Sequence, residues 1–141
     1  MTSSFPKYVR LFSIILCTLS SNLYAGGMVI HMFQSEKAIA QLDDSNLKQL
    51  LSQNTNALNS GTQYPDAGYS PGFLGQEKHV WGEASHWAPF IEAYLVVVIE
   101  KCQGRYLSDN ECGKLVSHFL GAAAHGIQDQ VFDGLFIPKV T

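Results

Sequence analysis

Apolar positions along this chain recur mostly at helical spacing, and the valines and aromatic residues follow that period more than they alternate. The pattern predicts one helix over 30–42 and a second that opens behind Ser45 as N-cap and runs through Leu47, Leu50 and Leu51 to about residue 58. Gly61, Pro65, Gly68, Pro71, Gly72 and Gly75 then interrupt the period and predict a long loop over 59–75, of the kind that in a compact domain is functional or disordered. Residues 88–101 form an apolar run bearing Glu92, too short to span a bilayer, which reads as a core helix. Ser108 and Glu111 make a capping-box pattern for a last helix that carries Leu115, Val116, Phe119, Leu120 and Ile127 toward the core and continues to about residue 132. The expected fold class is all-α.

The amino-terminal residues change the picture by setting a compartment. Lys7 and Arg10 precede the apolar stretch 11–19, and Leu23-Tyr24-Ala25 ends on a small residue, a pattern that predicts a secretory signal peptide over 1–25. The stretch is too short for a permanent anchor, and Leu16 before Cys17 disfavours a lipoprotein cleavage site. The expected product is one small domain over 26–141, secreted or periplasmic, beginning Gly26-Gly27-Met28. Loss of Lys7 and Arg10 leaves it more acidic than the formal −3 of the whole chain, which argues against nucleic-acid binding by phosphate neutralisation. Cys17 leaves with the signal, and Cys102 and Cys112 are expected to form one disulfide clamping two helices. Two thiols at that spacing without nearby histidines do not match a zinc site. The chain has no internal repeat, nucleophile elbow or glycine-rich phosphate loop, so hydrolases built on the last two are disfavoured.

The candidate chemistry lies in Gly-Ala-Ala-Ala-His125-Gly-Ile-Gln-Asp129. A spacing of four puts an imidazole and a carboxylate on one helix face, about 5–6 Å apart at Cβ, suited either to a hydrogen-bonded pair or to two ligands of one metal ion. Gly121 to Ala124 make a turn nearly bare of side chains, open to close approach by other backbone or a cation. Further ligand types occur at His31, at Asp66 behind Pro65, and at His86 in Ser85-His86-Trp87-Ala88-Pro89-Phe90. Taken singly, these also read as a helix-surface histidine, a turn-stabilising aspartate and a residue at a helix amino terminus.

In order along the chain, His31, Pro65-Asp66, the Ser85 to Phe90 block and Lys114-Leu115-Val116 leading to Gly121, His125 and Asp129 resemble the zinc-dependent phospholipase C family. Within it they look most like the amino-terminal catalytic domain of the glycosylphosphatidylinositol-specific phospholipases D. The resemblance covers His31 to about Phe136 and implies a compact helical domain of the phospholipase C and single-strand nuclease type, here lacking the family's carboxy-terminal helices. It implies two Zn2+ positions, one held by Asp66, His86, His125 and Asp129, the other by His31, the amino group and carbonyl of Gly26, and Asp129 as bridge. The implied activity is hydrolysis of phospholipid or glycosylphosphatidylinositol phosphodiesters through a metal-activated water, at transient contact with a membrane surface, with Asp66 orienting the water or acting as base. Trp87 with Tyr64, Tyr69 and Phe73 would line a lipid-facing entrance. The chain departs from the family at its third zinc: Asp133 stands about where a histidine is expected, and no histidine follows His125. A single-strand-specific zinc nuclease and a catalytically inactive metal-binding secreted domain are the alternative readings. His79 and His118 have no matching ligand position, and both read as structural.

Overall fold

The computed structural model describes residues 27–43, 45–69 and 79–135. The signal-peptide expectation, Gly26 and Phe73 lie outside the described residues. Within them every regular element is helical: α1 Gly27–Gln41, α2 Asn46–Gln53, α3 Thr55–Ala67, α4 His79–Ser85, α5 Ala88–Cys102 and α6 Asn110–Leu135. The all-α expectation therefore holds. The central contact is α3 on α6; α1 lies against both, α4 against α3, and α5 against α6.

Local chemistry sets the boundaries. Ser45 caps α2 as expected, its hydroxyl accepting from the Lys48 amide at 3.3 Å. The single helix expected from there to residue 58 divides at Asn54, which has φ −120° and turns both its backbone N–H and its side-chain amide onto the Leu50 carbonyl. An asparagine that hydrogen-bonds locally in this way competes with helix continuation. α6 opens one residue later than the Ser108 pattern implied, because Asp109 Oδ1 accepts from the amides of Glu111 and Cys112 at 3.0 and 3.2 Å. Cys102 and Cys112 are disulfide-bonded, both buried, and join the end of α5 to the start of α6.

Three further expectations fail. The loop over 59–75 is, through Ala67, the body of α3, with Pro65 inside the helix and buried. Its glycine is a packing device: a Cβ on Gly61 would run into the His118 backbone, and one on Gly121 of α6 would run into the Leu58 carbonyl and stand 2.8 Å from the Thr62 nitrogen. Two helices whose backbones touch need glycine at the crossing, so the residues that read as helix breakers mark a close contact. Second, the apolar α5 is not a core helix. Val98 and Cys102 are buried, whereas Leu95, Val96, Val97 and Ile99 are exposed, Ile99 to 59%. Third, of the α6 residues expected in the core, Phe119 is buried, Leu115, Val116 and Leu120 are half-buried, and Ile127 is 63% exposed.

The crossing makes a stability prediction. Gly121→Ala should cost about 3 kcal/mol in urea unfolding, because backbone on both sides cannot move aside. Gly134→Ala on the same helix, where a Cβ meets nothing within 4 Å, should be neutral or stabilising by up to about 1 kcal/mol. Equal effects for the two substitutions would show that α3 and α6 separate freely.

Candidate metal centre

The bare turn of α6 lets α3 come close enough for the Thr62 carbonyl to accept from His125 Nδ1 at 2.6 Å. His125 is fully buried by that contact. Asp129, one turn further along the same face, lies beside it, with Oδ2 at 3.2 Å from His125 Nε2. α3 brings Asp66 in from its last turn, with Oδ1 at 3.6 Å from His125 Nε2. His86 stands just beyond α4, where a second glycine contact, Gly68 against Gly82, closes α4 onto the end of α3. The Gly82 carbonyl accepts from His86 Nδ1 at 2.7 Å, and His86 Nε2 comes to 3.0 Å from His125 Nε2. α1 supplies His31, which is 2% exposed, with Nδ1 at 2.7 Å from Gln128 Oε1 and Nε2 at 3.3 Å from Asp129 Oδ1.

Five of the six residues singled out in the sequence therefore converge on one point, and the sixth, Gly26, lies outside the described residues. Two overlapping groups, His31 with His125 and Asp129, and Asp66 with His86 and His125, each place their ligand atoms within 4.8 Å of one another. Tyr69 and Trp87 line a cleft of about 340 Å³ that opens on Asp66, His86 and Asp129, with Asp133 also on its wall. Tyr64 does not join them. It packs on Trp81 and Phe90 and lines a separate hollow with Tyr94 and His118, whose Nδ1 is 3.0 Å from the Tyr94 hydroxyl.

Sequence reasoning missed the groups that aim these side chains. A carbonyl can only accept, so Thr62 and Gly82 fix the Nδ1–H tautomer of His125 and His86 and leave each Nε2 with a bare lone pair. Gln128 donates from its amide nitrogen to Ser35 Oγ at 3.1 Å, which turns its carbonyl oxygen to His31 and fixes that ring likewise. No motif announces a backbone carbonyl; Ser35 and Gln128 were findable only as polar residues near two candidate ligands.

Three imidazole lone pairs and two carboxylates thus face one another with no donor between them. His31 Nε2 and Asp129 Oδ1 are buried without a hydrogen-bond partner, and their 3.3 Å approach is not aligned as one. Such a set repels itself unless a cation or extra protons sit among its members. The spacings of 3.0 to 3.8 Å among Asp66, His86, His125 and Asp129 suit neighbouring ligands of one zinc, which stand about 3.3 Å apart in a tetrahedral shell. Outward hydrogen bonds from the distal ring nitrogens are the usual support of metal-bound histidines. The donor set fits a divalent metal.

Protons can take the cation's place in part. Burial pulls the His31 and His86 imidazoles down, but hydrogen bonds and the charges of Asp129 and Asp66 outweigh it, and both lie above the ordinary 6.5. Burial pushes the Asp129 carboxyl up, yet contacts with His125 and His31 hold it well below the usual carboxylate range. Burial lowers His118, away from the cluster.

The chain is related in sequence to phosphatidylinositol-glycan-specific phospholipase D. It is 32% identical over 134 residues to the protein of that name from Rattus norvegicus, covering 92% of this chain and 15% of the relative. The Dictyostelium discoideum protein is 30% identical over 122 residues, 84% of this chain and 12% of the relative, and the Homo sapiens protein 26% identical over 113 residues, 80% and 13%. The chain thus spans 12 to 15% of the length of these relatives. No family model matches it. No solved structure matches it. No described helix is long and apolar enough to cross a membrane.

The shifts predict a pH signature. The raised His31 and His86 contribute stability that is complete below 6.5 and lost as pH rises through their higher folded values. The lowered Asp129 contributes stability that is complete above 3.8 and lost as pH falls. Protein stripped with a chelator should therefore lose melting temperature from pH 6 to pH 8, and added zinc should reverse that loss, since metal displaces the protons. His118 has the opposite sign and cancels when curves with and without zinc are subtracted. A zinc effect on melting that does not grow over this range would show that these groups do not bind it.

Proposed function

We propose that residues 26–141 form a zinc-dependent domain of the phospholipase C and D type, exported behind a signal peptide over 1–25, that hydrolyses phospholipid or glycosylphosphatidylinositol phosphodiesters. One observation carries the reading: three histidines spend their N–H groups on outward acceptors and turn bare Nε2 atoms toward two carboxylates. The sequence relationship to proteins named phosphatidylinositol-glycan-specific phospholipase D supports the substrate class.

In this reading Asp66, His86, His125 and Asp129 hold one zinc, and His31 with Asp129 and the terminal Gly26 hold a second. Support for Asp129 as the shared ligand comes from its two oxygens, Oδ1 facing His31 and Oδ2 facing His86 and His125. Gly27 opens α1 four residues, or about one turn, before His31. Bound zinc would supply Lewis acidity, lowering the pKa of water and neutralising charge on phosphoryl oxygens. Thr62, Gly82 and Gln128 keep the three rings in register throughout. Asp66, on the cleft wall, orients the attacking water and takes its proton on a carboxylate oxygen. The new bond forms from water oxygen to phosphorus, the ester P–O bond breaks, and the alcohol leaves with the proton that Asp66 took and then gives up.

Elemental analysis of protein beginning at Gly26, with His125→Ala/Asp129→Ala as comparison, tests this directly. Wild type should carry about two zinc ions per chain and hydrolyse bis(p-nitrophenyl) phosphate, and the variant should lose both properties. A folded wild type without zinc would sink the catalytic reading, while zinc without hydrolysis of lipid or model diesters would leave a metal-binding domain.

A further inference from the structure

The hollow beside α5 is a second concave site, and no ligand of the metal centre lines it. α3 and α5 both pack on α6 but scarcely on each other, which leaves a trough between them floored by α6. Tyr64 of α3, His118 of α6 and Phe90, Ala93, Tyr94 and Val97 of α5 line it, and its volume is about 390 Å³. Among the described residues no acidic or basic side chain reaches this lining apart from His118, which burial holds below its ordinary value and so keeps neutral. Its Nδ1 is already engaged with the Tyr94 hydroxyl at 3.0 Å. The rings pack on one another, Tyr64 stacked on Phe90 at 5.9 Å and Tyr94 edge-on to Phe119 at 5.3 Å. The trough is thus the space that a self-packed wall leaves open, and it is formed before any ligand arrives.

The trough continues the metal cleft. Trp87, the N-cap of α5, is followed at helical spacing by Phe90, Tyr94 and Val97, which makes one stripe along the helix. The first of these lines the cleft and the other three line the trough. On α6, His118 precedes His125 by seven residues, two turns on the same face or about 10 Å, and Trp87 to Tyr94 is the same step on α5. We propose that the trough is an acyl-chain subsite: a lipid whose phosphodiester lies at the metal centre lays one hydrocarbon chain along the α5 stripe into it. The inference rests on the phosphodiesterase reading above for the phosphate and on the trough alone for the chain. An uncharged trough open on one side suits a methylene chain, which needs contact area and no hydrogen-bond partner. It disfavours a sugar or a second phosphate, whose polar groups would lose water without replacement.

Monomeric n-alkyl maltosides, which carry no phosphate, test the trough without turnover. From hexyl to decyl, affinity in titration calorimetry should rise about fourfold for each two methylenes added, less than full burial would give because one side of the chain stays in water. Val97→Glu, which sets a charge in the trough at a position already 43% exposed, should cut that step to less than about twofold. Ala93→Phe, which fills the trough from an exposed position, should do the same. Ile99→Glu, at a residue 59% exposed and about 160° round the same helix, should keep the wild-type series. With zinc bound, KM should fall about as steeply from ethyl to octyl p-nitrophenyl phosphate with kcat within about twofold, and Val97→Glu should level it. Neither glutamate variant should alter hydrolysis of bis(p-nitrophenyl) phosphate, which has no chain. A maltoside series without length dependence overturns the proposal, and so do level KM values in an active wild type, because the chain bound would then not be the substrate's. An equal loss in folded Val97→Glu and Ile99→Glu proteins also overturns it and marks α5 as a general apolar surface for a bilayer or another protein. If the zinc-loaded wild type hydrolyses no diester, the catalytic reading fails separately, and the maltoside series still decides the trough.

Discussion

Everything at the site depends on how closely α3 and α6 approach. With glycine at 61 and 121 the two backbones touch, and only at that distance does the Thr62 carbonyl reach the His125 ring. The same contact sets the height of Asp66 relative to Asp129, because each lies on a helix whose position the crossing fixes. A larger residue at 121 would push the helices apart and move an entire ligand away from its neighbours, a change that side-chain rotation cannot absorb. Precision at a metal centre usually comes from a rigid supporting layer, and here that layer is backbone.

The electrostatics follow from the same rigidity. Outward acceptors hold each imidazole in the tautomer that directs a bare nitrogen inward, so the cluster is pre-formed and self-repelling at once. Protonation relieves the repulsion partly, which is why His31 and His86 sit above and Asp129 below their ordinary values. A divalent ion relieves it more fully, because one ion meets several lone pairs where one proton meets one or two. Affinity for metal and resistance to unfolding are then two expressions of one term.

The chemistry was more legible in the sequence than the scaffold. The spacing of His125 and Asp129 offered a metal site beside a plain hydrogen-bonded pair, and the order of these two with His31, Asp66 and His86 in a resemblance favoured the metal site. The helical period also located α1, α5 and α6. The body of α3 was hidden because Gly61 and Pro65 carry a strong local signal for a turn, and local propensity loses to a contact made by a residue 57 positions away, His118. α4 was missed as too short to show a period. The exposure of α5 could not be read either: composition says that a helix is apolar, and only packing says which of its faces has a neighbour.

The interior is divided in a way that gives the metal centre a structural task. Leu50, Leu51, Leu58, Val98 and Phe119 make a small apolar core, and the disulfide closes the α5–α6 corner near Leu50 and Gly113. The buried residues around the ligands are instead His31, Ser35, Thr62 and His125. Apolar burial contributes little cohesion in that half, so α1 is held to α6 largely through Gln128 and the His31–Asp129 contact. Such a contact stabilises only while its charges are balanced. A cation there would fasten α1, α3, α6 and the His86 corner to one point, giving the polar half the cohesion that leucines give the other.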